Sequence, residues 1–329
     1  MDGKTTLTGR SLLTLSEFTD AQMLGLVALA SRLKAKKRKG HCDRLLDGRN
    51  LALIFEKAST RTRCAATVAA ADEGAHVDYL GKHDIHLGYK ESVADTARVL
   101  GRMFDGILFR GFAHATVEAL SANAGVPVWN GLTDDWHPTQ ILADLQTIHE
   151  SFGDLSGRKV VYVGDGRNNV CNSLMLGCAK AGIDVVNCCP QELAPVPSVL
   201  RAAEAAAARN RCTVAVNHDP AAAVRGANVV YTDVWVSMGE ESQFEERLEL
   251  LRPYQVDMSL LEGTGNVESG QVIFLHCLPA FHNRDTELTR ELGALEVTDD
   301  VFEAPFSKVF DQAENRMHTI KAMMVATLT

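Results

Sequence analysis

The sequence lacks the features that define several large classes of protein. Its eight cysteines include no CxxC pair, and the neighbours Cys188 and Cys189 cannot easily bridge each other. Neither a disulfide framework nor a zinc ligand set is indicated, so a reducing cytoplasm is the expected compartment. No apolar run approaches the ~18 residues of a membrane-spanning helix. The first residues carry neither an apolar signal segment nor an Arg-rich presequence, so we expect a soluble chain that is mature as it stands.

Positively charged residues are also fewer than negatively charged ones. Lys plus Arg number 33 and Asp plus Glu number 42, which gives a net charge of −9. Nucleic acids and anionic membranes need a basic face on their protein partner, so neither is expected as a partner. The basic run at residues 34–39 is the local exception, and we interpret it as the solvated end of a helix, where cations suit the dipole.

The chain has what a globular protein of two domains needs. It contains 329 residues, of which 46% are hydrophobic and 23% charged. This length is greater than that of a typical domain with a single hydrophobic core. Short apolar runs alternate with segments of helical period, which indicates an α/β fold with two domains, each a mainly parallel sheet flanked by helices and linked by helices. We predict strands at residues 51–55, 76–80, 106–109, 126–129, 159–163, 185–188, 213–216, 228–231 and 272–275.

The predicted domain boundary follows the same alternation. The first domain covers residues 1–150 and the second covers 151–311, with a helix near His137 as the link. The final helix, 312–329, is expected to pack back on the first domain. Function in such sheets lies beyond the carboxyl ends of the strands.

A strand-to-helix turn in the first half carries groups that bind phosphate. After the first predicted strand the chain reads Ser59-Thr60-Arg61-Thr62-Arg63. Ser59 or Thr60 is a natural N-cap, and the first-turn N–H groups of a helix have no backbone partner. Arginines are poorly placed there, because the dipole repels cations, unless an anion is bound. We interpret the turn as an anion site; a capped surface helix with solvated arginines is the alternative.

Two further segments add to this site. Arg110 follows the predicted strand at 106–109, and His137 and Gln140 open the linking helix. Each of these signals is weak alone. Together they offer charge for a phosphate and neutral donors for a carbonyl oxygen.

A series of different short motifs extends from Phe55 to His318, which is nearly the whole chain. They are Ser59-Thr60-Arg61-Thr62-Arg63, His137-Pro138-Thr139-Gln140, Gly164-Asp165-Gly166-Arg167-Asn168-Asn169-Val170, Asp233-Val234-Trp235-Val236-Ser237-Met238-Gly239, His276-Cys277-Leu278-Pro279 and Glu314-Asn315-Arg316-Met317-His318. The first two resemble the signature of the aspartate and ornithine carbamoyltransferases. The motifs of the second half are more similar to the ornithine branch of that family.

The resemblance implies a transferase that moves the carbamoyl group of carbamoyl phosphate to the side-chain amine of L-ornithine, giving L-citrulline and phosphate. It implies a first domain for carbamoyl phosphate, a second domain for ornithine, no cofactor and no metal. It also implies a homotrimer, or a higher assembly of trimers, with sites at subunit interfaces. The implied role is in amino-acid metabolism and arginine biosynthesis in the cytoplasm.

The same resemblance implies a role for particular residues. Those implied to hold carbamoyl phosphate are Ser59, Thr60, Arg61, Thr62, Arg110, His137, Gln140, Cys277, Leu278 and Arg316. Those implied to hold ornithine are Asn169, Asp233, Ser237 and Met238. The implied catalytic residues are Arg110, His137, Asp233 and Cys277.

The segment around His86 departs from the family pattern. The family usually has Gln where this chain has His86 and His where it has Tyr89. In relatives this loop reaches into a neighbouring subunit's phosphate site, so His86 is a candidate ligand there and can add charge near pH 6.5. His83, Asp84 and His86 could also hold a metal, but a fourth clustered ligand is missing.

The chemistry explains why such residues are needed. A side-chain amine of this type has a pKa of about 10.4, and only its neutral form is a nucleophile. Keeping it neutral at pH 7 costs roughly 4–5 kcal/mol, because ~3.4 pKa units count 1.36 kcal/mol each. Asp233 and Cys277, each after a predicted strand, are the candidates for orienting the amine. We expect direct attack through a tetrahedral intermediate, without a covalent acyl-enzyme; a buried inert cysteine is the alternative for Cys277.

Other functions remain open at this point. A nicotinamide-dependent oxidoreductase is one, since Gly164-Asp165-Gly166 follows a strand, although the dinucleotide fingerprint requires Gly where Asn169 stands. A carbamoyltransferase acting on putrescine, lysine or aspartate is another. A non-catalytic binding subunit is the third.

Overall fold

The computed structural model describes residues 7–236 and 243–329. Contacts divide the chain into two units. Unit 1 comprises Met1–Gln146 together with Glu314–Thr329, and unit 2 comprises Thr147–Ala313. Within the described residues each unit contains one parallel sheet. The sheet of unit 1 has the strand order His76–Gly81, Asn50–Phe55, Gly106–Arg110, Val128–Leu132, and that of unit 2 has the order Val214–Asn217, Asp184–Cys188, Lys159–Val163, Val229–Thr232, Ile273–His276. The predicted α/β architecture is confirmed.

The sheet of unit 1 is parallel throughout. Its strands are β1 (Asn50–Phe55), β2 (His76–Gly81), β3 (Gly106–Arg110) and β4 (Val128–Leu132). The central strand β3 is buried at every position, and β1 at every position after Asn50, because helices cover both faces of a parallel sheet. Strand β2 forms one edge of the sheet and keeps exposed positions.

The fourth strand begins later than the sequence predicts. The prediction placed it at 126–129, whereas β4 runs from Val128 to Leu132. Pro127 explains the difference, because proline has no N–H to donate to the ladder. Its carbonyl still accepts from Ile107 N at 2.9 Å, so the proline lies at the entrance of the strand.

The helices of unit 1 start at clear signals. Thr19 and Gln22 form a capping box before the first helix, a pattern that satisfies two orphan N–H groups. Lys34, read from the sequence as part of a solvated end, is instead buried and donates to Asn315 Oδ1 at 2.7 Å. The helices are α1 (Asp20–Arg38), α2 (Thr60–Asp72), α3 (Val93–Leu100), α4 (His114–Ala124), α5 (Pro138–Phe152) and α13 (Val309–Leu328), of which α5 and α13 each cross a unit boundary.

Unit 2 repeats the strand–helix alternation with five parallel strands. They are β5 (Lys159–Val163), β6 (Asp184–Cys188), β7 (Val214–Asn217), β8 (Val229–Thr232) and β9 (Ile273–His276). Its helices are α6 (Asn169–Lys180), α7 (Pro197–Asn210), α8 (Pro220–Ala223), α9 (Phe244–Leu251), α10 (Met258–Glu262), α11 (Thr289–Leu292) and α12 (Asp299–Phe302). A hydrophobic core around Val161, Val230 and Phe274 includes buried side chains of α8, α9, α10 and α12.

The helices also bear on the question of a membrane. Within residues 7–236 and 243–329, no helix has both the length and the apolar character to cross a bilayer.

Candidate active site

The turn between β1 and α2 forms as the sequence predicts. Ser59 is the N-cap of α2, and its Oγ accepts a hydrogen bond from Thr62 N at 3.2 Å. Thr60 is exposed, whereas Arg61 is half-buried and Thr62 fully buried. No acidic residue occupies the first turn, so its orphan N–H groups and the arginine favour an anion.

Thr62 is the meeting point of two buried arginines. Its Oγ1 accepts from Arg316 Nη2 at 3.0 Å and from Arg110 Nη1 at 3.4 Å. Arg110 ends β3, and Arg316 comes from α13, 254 residues away from Thr62. The two guanidinium groups are therefore held side by side before any ligand arrives, and their like charges favour a bound anion.

Gly111 is what allows the chain to leave Arg110 in this way. A Cβ at this position would overlap the carboxylate of Glu56 and the ring of Phe109. Glu56 N also donates to Arg110 O at 2.8 Å, so the two chain segments run close together. Glycine is the one residue without the atom that would collide.

The start of α5 brings His137, Thr139 and Gln140 into the same cluster. All three side chains are buried. Arg316 donates to Gln140 Oε1 at 2.7 Å and to Thr139 Oγ1 at 3.4 Å. Gln140 Nε2 donates in turn to Asp144 Oδ1 at 2.8 Å, which fixes the orientation of the amide. Thr139 was not among the predicted ligands, and only its place inside the His137–Gln140 motif signalled it.

The ionisation of His137 is set by its surroundings. Burial lowers its pKa well below the usual value, and the positive charges of Arg316, Arg110 and Arg61 lower it further. Burial and the three positive charges all act against imidazolium, so His137 is neutral at neutral pH. A neutral imidazole beside three guanidinium groups can donate to a carbonyl oxygen while the arginines hold a phosphate.

In unit 2, sheet register places Asp233 and Cys277 together. Strands β8 and β9 are parallel neighbours, and Thr232 pairs with His276. The next residue on each strand is therefore Asp233 or Cys277, both at the carboxyl edge of the sheet. Cys277 Sγ donates to Asp233 Oδ1 at 3.0 Å. The sequence predicted that these side chains work as a pair, and the register gives the physical reason for their contact.

Asp233 is a carboxylate under opposing influences. Burial, the largest effect, raises its pKa above the usual value. His276, the hydrogen bond from Cys277 and the N–H of Val234 lower it, but by less. A carboxylate with a raised pKa is a stronger base than an exposed one, so Asp233 is suited to accept a proton.

The backbone after Cys277 is held by a buried histidine. His276 and Glu296 are fully buried and lie 3.2 Å apart, Nε2 to Oε1. His276 Nδ1 accepts from Leu278 N at 2.9 Å, so the ring proton is on Nε2 and points at Glu296. Glu296 Oε1 also accepts from Phe281 N at 2.6 Å. This chain of contacts supports Leu278, which stands at a positive φ of 62°.

A role for Glu296 was not predicted from the sequence. It is the acidic residue within Ala294-Leu295-Glu296-Val297, an otherwise apolar stretch. A carboxylate inside such a stretch is costly to bury unless it is hydrogen-bonded. That pattern was the available signal, but it did not identify His276 as the partner.

The predicted ornithine ligands are only partly described. Asn169 is the first residue of α6 and is half-buried, next to the N-cap Asn168, whose Oδ1 accepts from Val170 N at 2.7 Å. Ser237 and Met238 lie outside the described residues. The part of the chain that follows them begins near α9, where Arg247 is buried and pairs with Asp165.

The glycines after β5 bear on the dinucleotide interpretation. A Cβ on Gly166 would lie 2.6 Å from both Cys189 Sγ and Leu193 O. This glycine therefore serves close packing against the chain that follows β6. In a dinucleotide-binding turn the corresponding glycine gives room to a pyrophosphate, so the packing argues against that use.

His86 lines a cavity of about 510 Å³ in unit 1, together with Lys82 and His83. The cavity adjoins the carboxyl end of β1 at Phe55 and Glu56. The predicted contact of His86 with a neighbouring subunit stays a prediction. His83, Asp84 and His86 are not among the groups of described residues whose ligand atoms converge closely enough for one ion.

One group that does converge coincides with the predicted amine site. Ligand atoms of Asp233, His276 and Cys277 lie within 4.8 Å of one another. Both ring nitrogens of His276 are, however, engaged with Leu278 N and Glu296. A metal there would have to displace one of these contacts.

Comparison with known proteins shows the family of the chain. Residues 10–150 match the model of the aspartate/ornithine carbamoyltransferase carbamoyl-P binding domain, and residues 156–327 match that of the Asp/Orn binding domain. The chain is 57% identical over 328 residues to a catabolic ornithine carbamoyltransferase of Bacillus licheniformis, covering 98% of this chain and 97% of the relative. It is 55% identical to that of Staphylococcus aureus, with the same coverage of 98% and 97%.

Solved structures give the same result. The ornithine carbamoyltransferase of Pyrococcus furiosus is similar with a TM-score of 0.91 and 44% identity, over 98% of each chain. That of Gloeobacter violaceus has a TM-score of 0.83 and 41% identity, over 98% of this chain and 99% of the other. The chain belongs to the aspartate/ornithine carbamoyltransferase family.

Proposed function

We propose that this protein is an ornithine carbamoyltransferase. It transfers the carbamoyl group of carbamoyl phosphate to the side-chain amine of L-ornithine and releases L-citrulline and phosphate. The observation that carries the proposal is the convergence of Arg61, Arg110 and Arg316 on the buried, neutral His137. The relatives in Bacillus and Staphylococcus, named ornithine carbamoyltransferases, support the choice of acceptor.

Unit 1 provides the groups for carbamoyl phosphate. Ser59, Arg61, Thr62 and the first-turn N–H groups of α2 suit its phosphate, whose negative charge matches the positive end of the helix. Gln140 and Arg316 complete the set through their mutual hydrogen bond. His137, being neutral, donates to the carbonyl oxygen, and with Arg110 it stabilises the oxyanion that forms there.

Unit 2 provides the groups for the amine. Asp233 accepts a proton from the ornithine ammonium, and its raised pKa favours this transfer. The freed lone pair attacks the carbonyl carbon, so a C–N bond forms and the carbonyl electrons move to oxygen. The electrons on oxygen then re-form the carbonyl and the C–O bond to phosphate breaks. The departing phosphate takes the bonding pair and accepts the second amine proton, and Arg61 and Arg316 stabilise its charge. Cys277 orients the amine and forms no bond to the carbamoyl group.

The test is a carbamoylation assay with ornithine, lysine, putrescine and aspartate, with phosphate release measured in parallel. We expect one phosphate per carbamoylated product and a preference for ornithine. A comparable rate with putrescine or aspartate would reject the proposed acceptor, and no turnover with any of them would reject the enzyme.

We further propose that the enzyme works in catabolism, in the direction of citrulline phosphorolysis. The context expected from the sequence was arginine biosynthesis. The support is that the Bacillus licheniformis relative, 57% identical, is named as the catabolic form. Rates of citrulline phosphorolysis and of citrulline synthesis, measured on the same preparation, test the direction. A chain suited to synthesis alone would show no saturable phosphorolysis.

Assembly and compartment are proposals of the same kind. We propose a homotrimer, in which His86 contributes to a neighbouring phosphate site, and light scattering on the purified protein tests it. We propose the cytoplasm because all eight cysteines are free thiols, which is usual in a reducing compartment.

A further inference from the structure

A second cluster of ligand-type side chains lies apart from the proposed catalytic groups. His282, Asp299 and Glu303 offer one nitrogen and two carboxylate oxygens, all within 4.8 Å of one another. His282 follows the segment that begins at Cys277, whereas Asp299 and Glu303 belong to the turn of α12. Nothing in the proposed reaction uses these three residues.

The histidine of this cluster is held in place before any ligand binds. Its ring stacks on the ring of Phe302, with centroids 3.7 Å apart and planes inclined by 10°. His282 Nδ1 lies 2.6 Å from Asp299 Oδ1, and its side chain is only 16% exposed. A ring fixed by stacking loses little conformational entropy when it binds a ligand.

The carboxylates are arranged as a pair on one helical turn. Glu303 N donates to Asp299 O at 2.9 Å, and residues four apart on a helix lie on the same face. Both side chains are exposed, and that of Asp299 is 59% exposed. Solvent therefore reaches the cluster from the carboxylate side, and water can fill the remaining coordination positions.

We propose that His282, Asp299 and Glu303 form a binding site for a divalent transition-metal ion. One imidazole and two carboxylates are ligands that Zn²⁺, Co²⁺ and Mn²⁺ accept. The two carboxylate charges balance the charge of the ion. Ligand atoms around one tetrahedral ion lie about 3.4 Å apart, given metal–ligand distances of about 2.1 Å, so small side-chain rotations bring this set into position.

The site has a structural consequence. His282 closes the segment that starts with Cys277 and passes Phe281, whose N–H is held by Glu296. A metal ion would replace the proton between His282 and Asp299 by a stronger link and tie this segment to α12. Bound metal is therefore expected to stabilise the folded chain, because an ion that binds the folded state alone raises its stability.

The experiment is a Co²⁺ titration followed by absorbance and by calorimetry. Cys277 could bind the same ion through sulfur, so the titration is run in a Cys277→Ser background, where thiolate charge-transfer bands are absent. We expect one Co²⁺ per chain with nitrogen and oxygen ligation, and a Tm that rises with metal concentration.

Conservative variants locate the site. In the same background, His282→Gln and Glu303→Gln are expected to weaken Co²⁺ binding by about tenfold or more, since loss of a supporting group alone costs 10–100-fold. Asp300→Asn is the matched control: it removes the same charge from α12, but its carboxylate accepts from Val301 N at 3.0 Å and from Thr298, outside the cluster. Glu303 is exposed, so Glu303→Gln leaves folding intact.

Each outcome of this titration either supports the metal site or contradicts it. Weaker binding in His282→Gln and Glu303→Gln, with Asp300→Asn unchanged, supports the site. Binding that is absent in the Cys277→Ser background, or equally affected by all three variants, overturns it. The titration needs no turnover, so its result is independent of the proposed carbamoyl transfer.

Discussion

The two proposed substrate sites differ in the kind of charge they carry. The site in unit 1 is built on Arg61, Arg110 and Arg316, which stay protonated at any pH a protein tolerates. The site in unit 2 is built on Asp233 and Cys277, which both gain and lose protons. The first site therefore has a fixed electrostatic character, and the second has one that depends on its protonation state.

Burial shifts a pKa in each site, but the neighbouring groups add to the shift in one site and oppose it in the other. It lowers the pKa of His137, and three arginines lower it further. It raises the pKa of Asp233, while His276, Cys277 and Val234 oppose the change. Every one of these influences favours neutral His137, whereas the influences on Asp233 partly oppose one another and leave its pKa raised. That difference matches a group that polarises a carbonyl and a group that moves a proton.

The largest effect is expected from breaking the fixed site. Arg61→Gln removes one guanidinium while keeping a polar side chain at the helix start. We expect kcat/KM for carbamoyl phosphate to fall about 10³-fold, or roughly 4 kcal/mol, because the lost charge is the one proposed to stabilise the leaving phosphate. Steady-state kinetics at saturating ornithine measure it.

Arg63→Gln is the matched control for this substitution. Arg63 lies two residues further along α2, is exposed, and stacks on the ring of Tyr79 at 3.8 Å. We expect kcat/KM to change less than about threefold, since an exposed guanidinium is well solvated. Equal losses in the two variants would mean that helix charge in general, and not Arg61, supports the reaction.

The next effect comes from removing the base of the titratable site. Asp233→Asn keeps the acceptor for Val234 N but loses the negative charge. We expect kcat/KM for ornithine to fall about 10²-fold, within the range for general acid–base groups. Calorimetric binding of carbamoyl phosphate without ornithine should stay unchanged, and a parallel loss of that binding would contradict the separation of the two sites.

A smaller effect is expected at Cys277. Cys277→Ser replaces the sulfur that contacts Asp233 at 3.0 Å by a smaller donor. We expect KM for ornithine to rise about tenfold, roughly 1.4 kcal/mol, and the pH optimum to shift, because the partner of Asp233 has changed. Mass spectrometry of the wild-type enzyme during turnover should find no carbamoyl-thioester; finding one would replace direct attack by a covalent route.

Local signals made part of these sites predictable. Ser59 at a strand end with hydroxyls and arginines behind it predicts an N-capped helix start, and the structure has one. Arg110 ends a wholly apolar run, so its place at the carboxyl edge of the sheet also follows from the chain itself. Such features depend on residues close in sequence.

Contacts between distant residues were not predictable in the same way. Arg316 meets Thr62 across 254 residues, and Glu296 meets His276 across 20. No periodicity or cap signal specifies which buried partner a side chain finds, because that depends on strand order and helix packing. Strand β4 shows a milder case, in which Pro127 shifted the start of pairing although the strand itself was predicted.

The smallest effect is a change in the pH dependence of stability at His137. Its pKa in the folded chain lies well below the unfolded value of 6.5. The stabilisation is therefore present above pH 6.5 and is lost as the pH falls through the folded pKa, because the unfolded chain takes up the proton first.

His137→Gln cannot be protonated, so its Tm should fall less between about pH 7.5 and about pH 5 than that of the wild type. The difference should be a few degrees at most, since 1 kcal/mol corresponds to about 2–4 °C in a domain of 150–250 residues and to less in a larger one. His149→Gln, an exposed change on the same helix α5, should keep the wild-type slope. Differential scanning calorimetry decides it: equal slopes in wild type and His137→Gln would mean that burial does not hold this histidine neutral.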